Sequence, residues 1–338
     1  MLIGLASTLD CTQIPNSQIS DGNTVYIPGP SSAPQPISAN FNCLYNISIP
    51  VGLYANVTLF NGLQGVNDFI LVIEVNGAET RITNRSISYD NLYQYFVLPG
   101  SFMTFSVITK SVFMNSKFSI TVDFHTAKIG PNFPMKTGGE MNYLDVTTFR
   151  NNDSLFSSVT FTGEEPIHLG VASSWDNITT FEFCYIIDGT IGNMVSLEKL
   201  GDSGDYNTES NSITIVTFSN DKLQFVLNPV SEAKQFTALL STHADRNPGN
   251  FFLSSYQIGI TQALQVVNFD STGITLNNLE IASTTCQAYI VSGPPNNSSK
   301  ILLDLSTNPK MPYSFDLKYL TILEQDCVFY ISVSSKNS

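Results

Sequence analysis

Short runs in which apolar and polar residues alternate recur along the whole chain, and they limit its fold more than any other feature. Turn residues such as Gly, Pro and Asn separate the runs, at the spacing typical of antiparallel strands. The clearest runs are FILVIEVNG, KFSITVDF, SVTFTG, FEFCYIIDG, SITIVTF, LQFVL, QAYIVSG and CVFYISV. A period of two places one face of a strand in a core and the other in solvent. We therefore predict an all-β fold of tandem antiparallel β-sandwiches.

The composition agrees with strands. The chain has 23 Phe and 14 Tyr among its 338 residues, and aromatic side chains suit a pleated, half-buried surface. Hydrophobic residues make up 42% and charged residues 13%, which allows real cores and excludes a disordered chain. One segment, SEAKQFTALL, fits a helix, but it also fits a strand that carries Phe236, Ala238 and Leu240 on one face.

Residues 41–60, FNCLYNISIPVGLYANVTLF, combine a cysteine with two Asn-x-Ser/Thr sequons in one predicted hairpin. Alternation places Cys43 on the core face of the first strand and Asn46 on the opposite face. It places Asn56 on the solvent face of the second strand in the same way. This pattern predicts that one side faces an extracellular medium while the other is cross-linked inside.

The cysteines fall into two local pairs and a remainder. Cys11 with Cys43, and Cys286 with Cys327, would each close a loop of about 30 to 40 residues, which contributes about 3 to 4 kcal/mol in an oxidising compartment. Because no CxxC pair or histidine at ligand spacing is present, a structural zinc site is disfavoured. Cys184 lies in the apolar run FEFCYII, and we predict a buried, inert thiol there.

Sequons mark candidate N-glycosylation sites. A chain so rich in Asn, Ser and Thr would contain nearly as many by chance, so their placement carries more weight than their number. The acceptors are Asn46, Asn56, Asn84, Asn152, Asn177, Asn296 and Asn297.

The N-terminal residues and the charge bear on location. Leu2 to Leu9 form a short apolar run with Gly4 and Ala6 near a cleavage position, which favours the remnant of a secretory signal over residues 1–10; the alternative is an ordinary first strand. No apolar run reaches the roughly 18 residues of a membrane span, so no membrane insertion is expected. A formal net charge of −13 opposes nucleic acid and anionic lipid as partners.

Two segments rich in Gly, Pro and Asn read as linkers, at residues 128–140 and 241–250. They divide the chain into a first domain over residues 11–126, a second β-sandwich over 140–242 and a third over 250–336.

The first piece resembles a known family. Cys11, followed after about 30 residues by FNCLYNISIPVGLYANVTL and later by FILVIEVNG and SFMTFSVITKS, resembles the nematode CUB-like domain over residues 11–126. FEFCYIIDGT in the second piece is similar to a strand of CUB domains generally, and the third piece has YIVSG at the matching place. The resemblance implies a jelly-roll-like sandwich, secretion, and a role in gut-facing innate defence. It implies an interaction module without an active site or a cofactor.

Some CUB domains hold Ca²⁺ with carboxylates at one end of the sandwich. In the first piece Asn76 and Ile70 stand where acidic residues would be expected, which disfavours a metal site. Glu182 and Asp188 occupy the two acidic positions in the second piece, but residues six apart on one strand lie about 20 Å apart. An ordinary strand residue and a turn-forming Asp-Gly are the preferred interpretation, with Glu182 and Asp188 kept as weak metal candidates.

Two patterns in the sequence resemble catalytic motifs. GDSGD at residues 201–205 resembles a serine-protease loop, but the three histidines (His125, His168 and His243) lie in no matching context, so a turn is preferred. Glu164-Glu165 with Asp202 and Asp205 offer carboxylates for glycoside hydrolysis, yet nothing fixes their separation. We predict no enzyme and no catalytic residues, with an extracellular hydrolase acting on carbohydrate as an alternative.

Aromatic residues give weak ligand-binding candidates. Trp175, Tyr93 and Tyr95 are candidates for a surface that stacks on sugars, and Tyr89 lies in the same run; aromatic residues of sandwiches more often belong to the core. The sequence thus favours a secreted, glycosylated, non-enzymatic protein that binds a glycan or an extracellular protein. A structural coat protein is the remaining alternative.

Overall fold

The computed structural model describes residue 11 and residues 13–111, 115–172, 183–219, 222–254, 259–283 and 285–336. Strands account for 51% of the structure and helices for 8%, which confirms the prediction of an all-β sandwich fold. Most strand pairs are antiparallel, whereas β10 (Asn132–Pro134) with β12 (Ser157–Thr162) and β19 (Ala238–His243) with β21 (Thr261–Val267) are parallel. The signal-like run over residues 1–10 lies outside the described residues.

The first sandwich consists of two facing sheets. One has the order β1–β9–β4–β7, with β2 beside β9, and the other has the order β3–β8–β5–β6. Its strands are β1 Thr24–Ile27, β2 Gln35–Pro36, β3 Asn42–Ser48, β4 Leu53–Gly62, β5 Phe69–Glu74, β6 Glu79–Thr83, β7 Leu92–Val97, β8 Phe102–Ile108 and β9 Lys117–Thr126. Short 3₁₀ helices lie at Asn16–Gln18 and Tyr89–Asn91.

Alternation on β3 builds the core between these sheets. Cys43, Tyr45 and Ile47 are buried, while Asn42 and Asn46 are exposed, as the period of two predicts. The buried residues of β3 join those of β4, β5, β8 and β9 in one apolar cluster that includes Phe105 and Phe118. The solvent face of β3 therefore carries the sequon at Asn46.

The second sandwich pairs the sheet β10–β12–β17–β14–β15 with the sheet β11–β18–β13–β16. Its remaining strands are β11 Asn142–Asp145, β13 Ile167–Val171, β14 Cys184–Asp188, β15 Met194–Ser196, β16 Asp205–Asn207, β17 Ser212–Thr217 and β18 Gln224–Pro229. Short 3₁₀ helices lie at Val146–Phe149, Ile191–Asn193 and Leu197–Ser203, and the one-turn helix α1 spans Val230–Ala233.

The third sandwich pairs the sheet β19–β21–β26–β23–β24 with the sheet β20–β27–β22–β25. Its remaining strands are β20 Gly249–Ser254, β22 Ile274–Ile281, β23 Gln287–Ser292, β24 Lys300–Asp304, β25 Tyr313–Phe315, β26 Tyr319–Gln325 and β27 Val328–Ser335. A 3₁₀ helix lies at Leu305–Thr307.

One strand order is repeated in the three sandwiches. The second and third follow the same path strand for strand, because β10 to β18 occupy the places of β19 to β27. In the first sandwich β3–β8–β5–β6 and β1–β9–β4–β7 reproduce the main part of both sheets. The runs FILVIEVNG, FEFCYIIDG and QAYIVSG consequently lie on topologically equivalent strands, namely β5, β14 and β23.

The chain forms two compact units. The first contains residues 1–129, 151–157 and 190–195, and the second contains residues 130–150, 158–189 and 196–338. The second unit thus includes most of the second sandwich and all of the third. The domain boundaries 11–126, 140–242 and 250–336 stay a prediction.

The ambiguous segment SEAKQFTALL divides between two structures. Its first residues belong to α1, which ends at Ala233, and its last residues begin β19 at Ala238. Phe236 and Leu239 pack beside the buried Ala263 of β21. The apolar positions therefore serve packing in the second unit rather than one continuous helical face.

Both predicted cysteine pairs form disulfides, Cys11 with Cys43 and Cys286 with Cys327. Cys184 is a free thiol, fully buried in the core of the second sandwich. Burial raises the pKa of Cys184 to about 12, which keeps the sulfur protonated and unreactive at neutral pH.

Candidate functional site

The predicted aromatic candidates of the first sandwich face its core. Tyr93 and Tyr95 lie on the same face of β7 and pack against the apolar cluster, and the ring of Tyr95 meets that of Phe105 edge-on at 5.9 Å. Burial raises the pKa of Tyr95 well above its usual range, with Tyr93 and Glu74 acting in the same direction. Tyr89 is 88% exposed and stands apart from them. Trp175 lies outside the described residues.

Asp188, one of the two weak metal candidates, has structural partners. Its carboxylate accepts hydrogen bonds from the backbone N–H of Glu209 at 2.6 Å and from the N–H and hydroxyl of Ser210 at 3.0 and 2.5 Å. These contacts tie the end of β14 to the turn before β17, which is what a buried carboxylate requires. Glu182 lies outside the described residues. No cluster of three metal-ligating side chains occurs in the part of the chain that the structure describes.

Asp68 in the first sandwich plays a comparable role. It is buried and accepts hydrogen bonds from the N–H groups of Lys110 and Ser111 and from the hydroxyls of Ser111 and Ser116, at 2.6 to 3.1 Å. Burial alone would raise the pKa of Asp68, but these four hydrogen bonds outweigh burial and lower it. The carboxylate therefore holds two loops together.

Glu164 and Glu165, two of the four carboxylates of the hydrolase alternative, line a concave cavity of about 360 Å³ in the second unit. Glu164, Glu165 and Glu232 lie around it with Met135 and Ile167. Asp205 lies on β16 and is not part of that lining, and the side chain of Asp202 is outside the described set.

Both inner carboxylates of this cavity are hydrogen-bonded. Ser231 donates to Glu165 through its hydroxyl at 2.5 Å and through its N–H at 3.2 Å, and the amide of Asn296 donates to Glu232 at 3.0 Å. Burial raises the pKa of Glu232, the bond from Asn296 lowers it, and the charge of Glu165 raises it again. The cavity thus holds two glutamates, Glu232 with a raised pKa and Glu165 hydrogen-bonded to a serine.

The histidines have partners other than the GDSGD loop. His125 stacks on Tyr54, His168 pairs through Nδ1 with the Asn207 side chain at 3.0 Å, and Nε2 of His243 lies 3.4 Å from Asp270. Gly204 in that loop has a φ of 62°, the left-handed conformation that glycine adopts at a turn. Gly204 is thus the C-cap of the 3₁₀ helix Leu197–Ser203, which includes the first three residues of GDSGD.

His168 lies in a buried polar cluster of the second unit. It points away from the core of its own sandwich, on the face that also holds Asn228 and Gly170. A Cβ atom added at Gly170 would lie 2.6 Å from the hydroxyl of Ser241 on β19, so this face closely approaches the third sandwich. Nε2 of His168 has no hydrogen-bond partner among the described atoms, and burial lowers its pKa, with Asn207 and Asp205 acting in the opposite direction.

We expect the stability of the second unit to fall as pH drops below about 6.5 because of His168. An unfolded chain takes up a proton there that the buried imidazole does not, so the free energy of unfolding decreases by at most about 1.4 kcal/mol per pH unit. Urea unfolding of wild type and His168→Gln between pH 7.5 and 5.5 measures this. The variant should show a shallower pH dependence, and an unchanged slope would contradict the assignment.

A surface that the sequence did not single out lies on the outer face of the third sandwich. Phe252 on β20 and Tyr330 on β27 face each other across the strands, with ring centroids 4.6 Å apart, and they are 44% and 52% exposed. Glu280 on β22 is the next residue in this row. The parallel row consists of Asn250, Ser332 and Asn278.

These two rows border a groove of about 250 Å³. Asn250, Asn278, Glu280, Tyr330 and Ser332 line it, together with Ile331. We name these residues and Phe252 the aromatic groove. A signal for it exists in the sequence: in VFYISV the residues Phe329, Ile331 and Val333 take the core face, which leaves an aromatic residue, Tyr330, on the solvent face.

Comparison with known proteins identifies the first sandwich. Residues 6–128 match the CUB-like domain family. This segment is thus a CUB-like domain, as its cysteines and hairpin predict, and such domains are typically extracellular binding modules. No curated protein matches the chain.

Among solved structures, the chain is similar to the CUB1-EGF-CUB2 domains of rat MASP-1, at 13% identity over 93% of this chain and 97% of that one, with a TM-score of 0.23. The CUB1-EGF-CUB2 domain of human MASP-1/3 is 11% identical over 61% of this chain and 98% of that one, with a TM-score of 0.23. PliG, a periplasmic lysozyme inhibitor of g-type lysozyme from Salmonella Typhimurium, is 11% identical over 33% of this chain and 96% of that one, with a TM-score of 0.20. At these scores the fold assignment depends on the strands and sheets described above.

Proposed function

We propose that this chain is a secreted, N-glycosylated binding protein that recognises a glycan or an extracellular protein in innate defence at a gut or other mucosal surface. The observation that carries the proposal is the arrangement on β3. Cys43 enters a disulfide on the core face while the sequon residue Asn46 stands exposed on the other face. Disulfides persist in oxidising compartments, where glycans are also added.

The surroundings of the sequons support a choice among the proposed glycan acceptors. The side-chain amide nitrogens of Asn46, Asn56, Asn152 and Asn297 donate no hydrogen bond among the described residues. By contrast, the amide of Asn296 donates to both Gly138 and Glu232, and that of Asn84 donates to Gln64. We expect Asn297 to be the acceptor in the overlapping pair. Asn177 lies outside the described residues and stays a prediction.

Binding of the purified glycoprotein to a glycan array and to whole bacteria tests the proposal. The expected result is retention on a defined subset of glycans or on bacteria that display them. Enzymatic removal of the protein's own N-glycans is the control, and binding should survive it. Absence of binding to both probes would contradict glycan recognition and leave an extracellular protein as the partner to be sought.

The glutamate-lined cavity supports a second candidate function, an extracellular hydrolase acting on carbohydrate. Two carboxyl groups in one concave site, one of them with a raised pKa, are the groups that glycoside hydrolysis uses. Release of reducing sugar from neutral polysaccharides, abolished in both Glu165→Gln and Glu232→Gln, would establish it. The hydrogen bonds from Ser231 and Asn296 favour a structural role for these carboxylates.

A further inference from the structure

We propose that the aromatic groove of the third sandwich binds a neutral pyranose unit of a glycan, with Tyr330 as the stacking surface. This inference rests on the glycan-binding part of the proposed function and assigns it a site. It places recognition on the last sandwich of the chain rather than on the CUB-like domain.

The aromatic pair supplies the apolar part of the site. Phe252 packs against Tyr330 from the neighbouring strand and so limits the orientations of the tyrosine ring. About half of each side chain remains in contact with water, on a strand face that also carries the polar residues Asn250, Asn278, Glu280 and Ser332. Two packed aromatic rings so exposed mark a binding surface more readily than a folding requirement. The C–H face of a pyranose ring is the ligand surface that an aromatic face accepts.

The second row supplies hydrogen bonds. Asn250 and Asn278 each offer an amide donor and a carbonyl acceptor, and Ser332 between them offers a hydroxyl. Ser332 is small and mostly buried, so it forms the floor of the groove while its neighbours rise on either side. Hydroxyl groups at several positions of one sugar ring need this mixture of donors and acceptors next to an apolar wall.

The size of the groove sets the length of ligand it can hold. Its volume of about 250 Å³ is below the range of about 300 to 1,000 Å³ of pockets that enclose drug-sized molecules. The groove is therefore suited to one unit of a longer glycan that continues along the surface.

Charge selects among glycans. Among the described residues that line the groove, Glu280 is the only carboxylate and there is no Lys, Arg or His; its carboxylate accepts a hydrogen bond from Asn278 at 3.1 Å. A carboxylate accepts from sugar hydroxyls but repels sialylated or sulfated chains, and the net charge of −13 adds to that repulsion. The expected ligands are neutral hexoses and N-acetylhexosamines.

A protein partner suits this face less well. On the second sandwich the equivalent sheet, β11–β18–β13–β16, presents Gly170 and other buried residues where the third sandwich packs closely. The aromatic groove instead presents two aromatic rings amid mostly polar side chains, without the apolar, charge-depleted core of a stable protein interface.

Tyr330→Ala in the full secreted chain tests the site on an array of neutral glucose, mannose and N-acetylglucosamine oligomers together with their sialylated counterparts. We expect affinity for the bound neutral glycan to fall about tenfold or more, a loss of about 1.4 kcal/mol. Tyr330→Phe keeps the ring and should bind within a few-fold of wild type. Tyr89→Ala, which removes an exposed aromatic residue elsewhere, is the matched control and should leave binding unchanged.

The outcomes separate the site from the function. Equal binding by wild type and Tyr330→Ala, with unchanged thermal unfolding, overturns the site but leaves glycan recognition intact. Wild type that binds no oligomer overturns the site, and if it also binds neither the wider glycan array nor bacteria, glycan recognition falls with it. Preference for sialylated chains contradicts the role given to Glu280. Capture of a protein but no glycan by wild type, lost in Tyr330→Ala, assigns the groove to a protein partner instead.

Discussion

Replacing Cys286 and Cys327 together with alanine should lower the free energy of unfolding of the third sandwich by about 4 kcal/mol. The bridge spans 41 residues of sequence, from the residue before β23 to the residue before β27, and it restricts the unfolded chain over that length. Cys327 is fully buried in the core, so its loss also removes packing. Such a change exceeds a quarter of the stability of an ordinary domain.

Guanidinium unfolding of the secreted protein, monitored by far-UV circular dichroism, measures this loss. Cys184→Ala is the matched control, because it removes a buried sulfur without breaking a cross-link and should cost about 1 kcal/mol. If the double variant loses no more than this control, the disulfide contributes nothing to stability.

The second large effect concerns a buried pair of amides in the second unit. Asn228 on β18 and Gln265 on β21 exchange two hydrogen bonds, at 2.9 and 2.7 Å, and both are almost fully buried. Gln265→Leu leaves the Asn228 amide without its partner in a dry environment, and we expect a loss of about 3 kcal/mol. Asn228→Leu should cost a similar amount for the reciprocal reason.

A double-mutant cycle isolates the interaction. The double variant, Asn228→Leu with Gln265→Leu, leaves no buried amide without a partner. Its loss in free energy of unfolding should therefore be clearly smaller than the sum of the losses of the two single variants. Chemical denaturation of all four proteins provides the comparison. Additive losses would show that the two amides do not depend on each other. Unfolding in one transition would further indicate that the second and third sandwiches fold together.

Alternation was sufficient to predict the strands and the two faces of β3. Cys43 and Asn46 occupy opposite faces because a strand turns each successive side chain over, and no long-range information is needed for that. The short runs on β5, β14 and β23 were also visible in sequence. That they occupy equivalent places in three sandwiches follows from the sheet order, which pairs strands far apart in the chain.

Sequence reasoning could not find the contact surfaces between elements. Gln265 lies in the run ALQVV, where one polar residue among apolar ones indicates a solvent face. In the structure that face is covered, and the amide of Asn228 replaces water. A polar side chain has the same pattern in sequence whether it meets water or a partner amide.

The candidate site shows the same limit. Tyr93 and Tyr95 are predicted ligand-binding candidates because they lie close together in sequence, yet both pack against the core. Phe252 and Tyr330 are 78 positions apart and become neighbours only through the pairing of β20 with β27. A cluster assembled from separate strands has no local signature beyond an aromatic residue on the polar face of each strand.

Peptide mapping of the protein secreted from eukaryotic cells tests the central claim most directly. Digestion under non-reducing conditions, with and without enzymatic deglycosylation in ¹⁸O-labelled water, identifies both the cross-linked peptides and the occupied asparagines. We expect Cys11 joined to Cys43, Cys286 joined to Cys327, Cys184 free, and glycan on Asn46. Protein retained inside the cell with reduced cysteines and an unmodified Asn46 would contradict an extracellular binding protein.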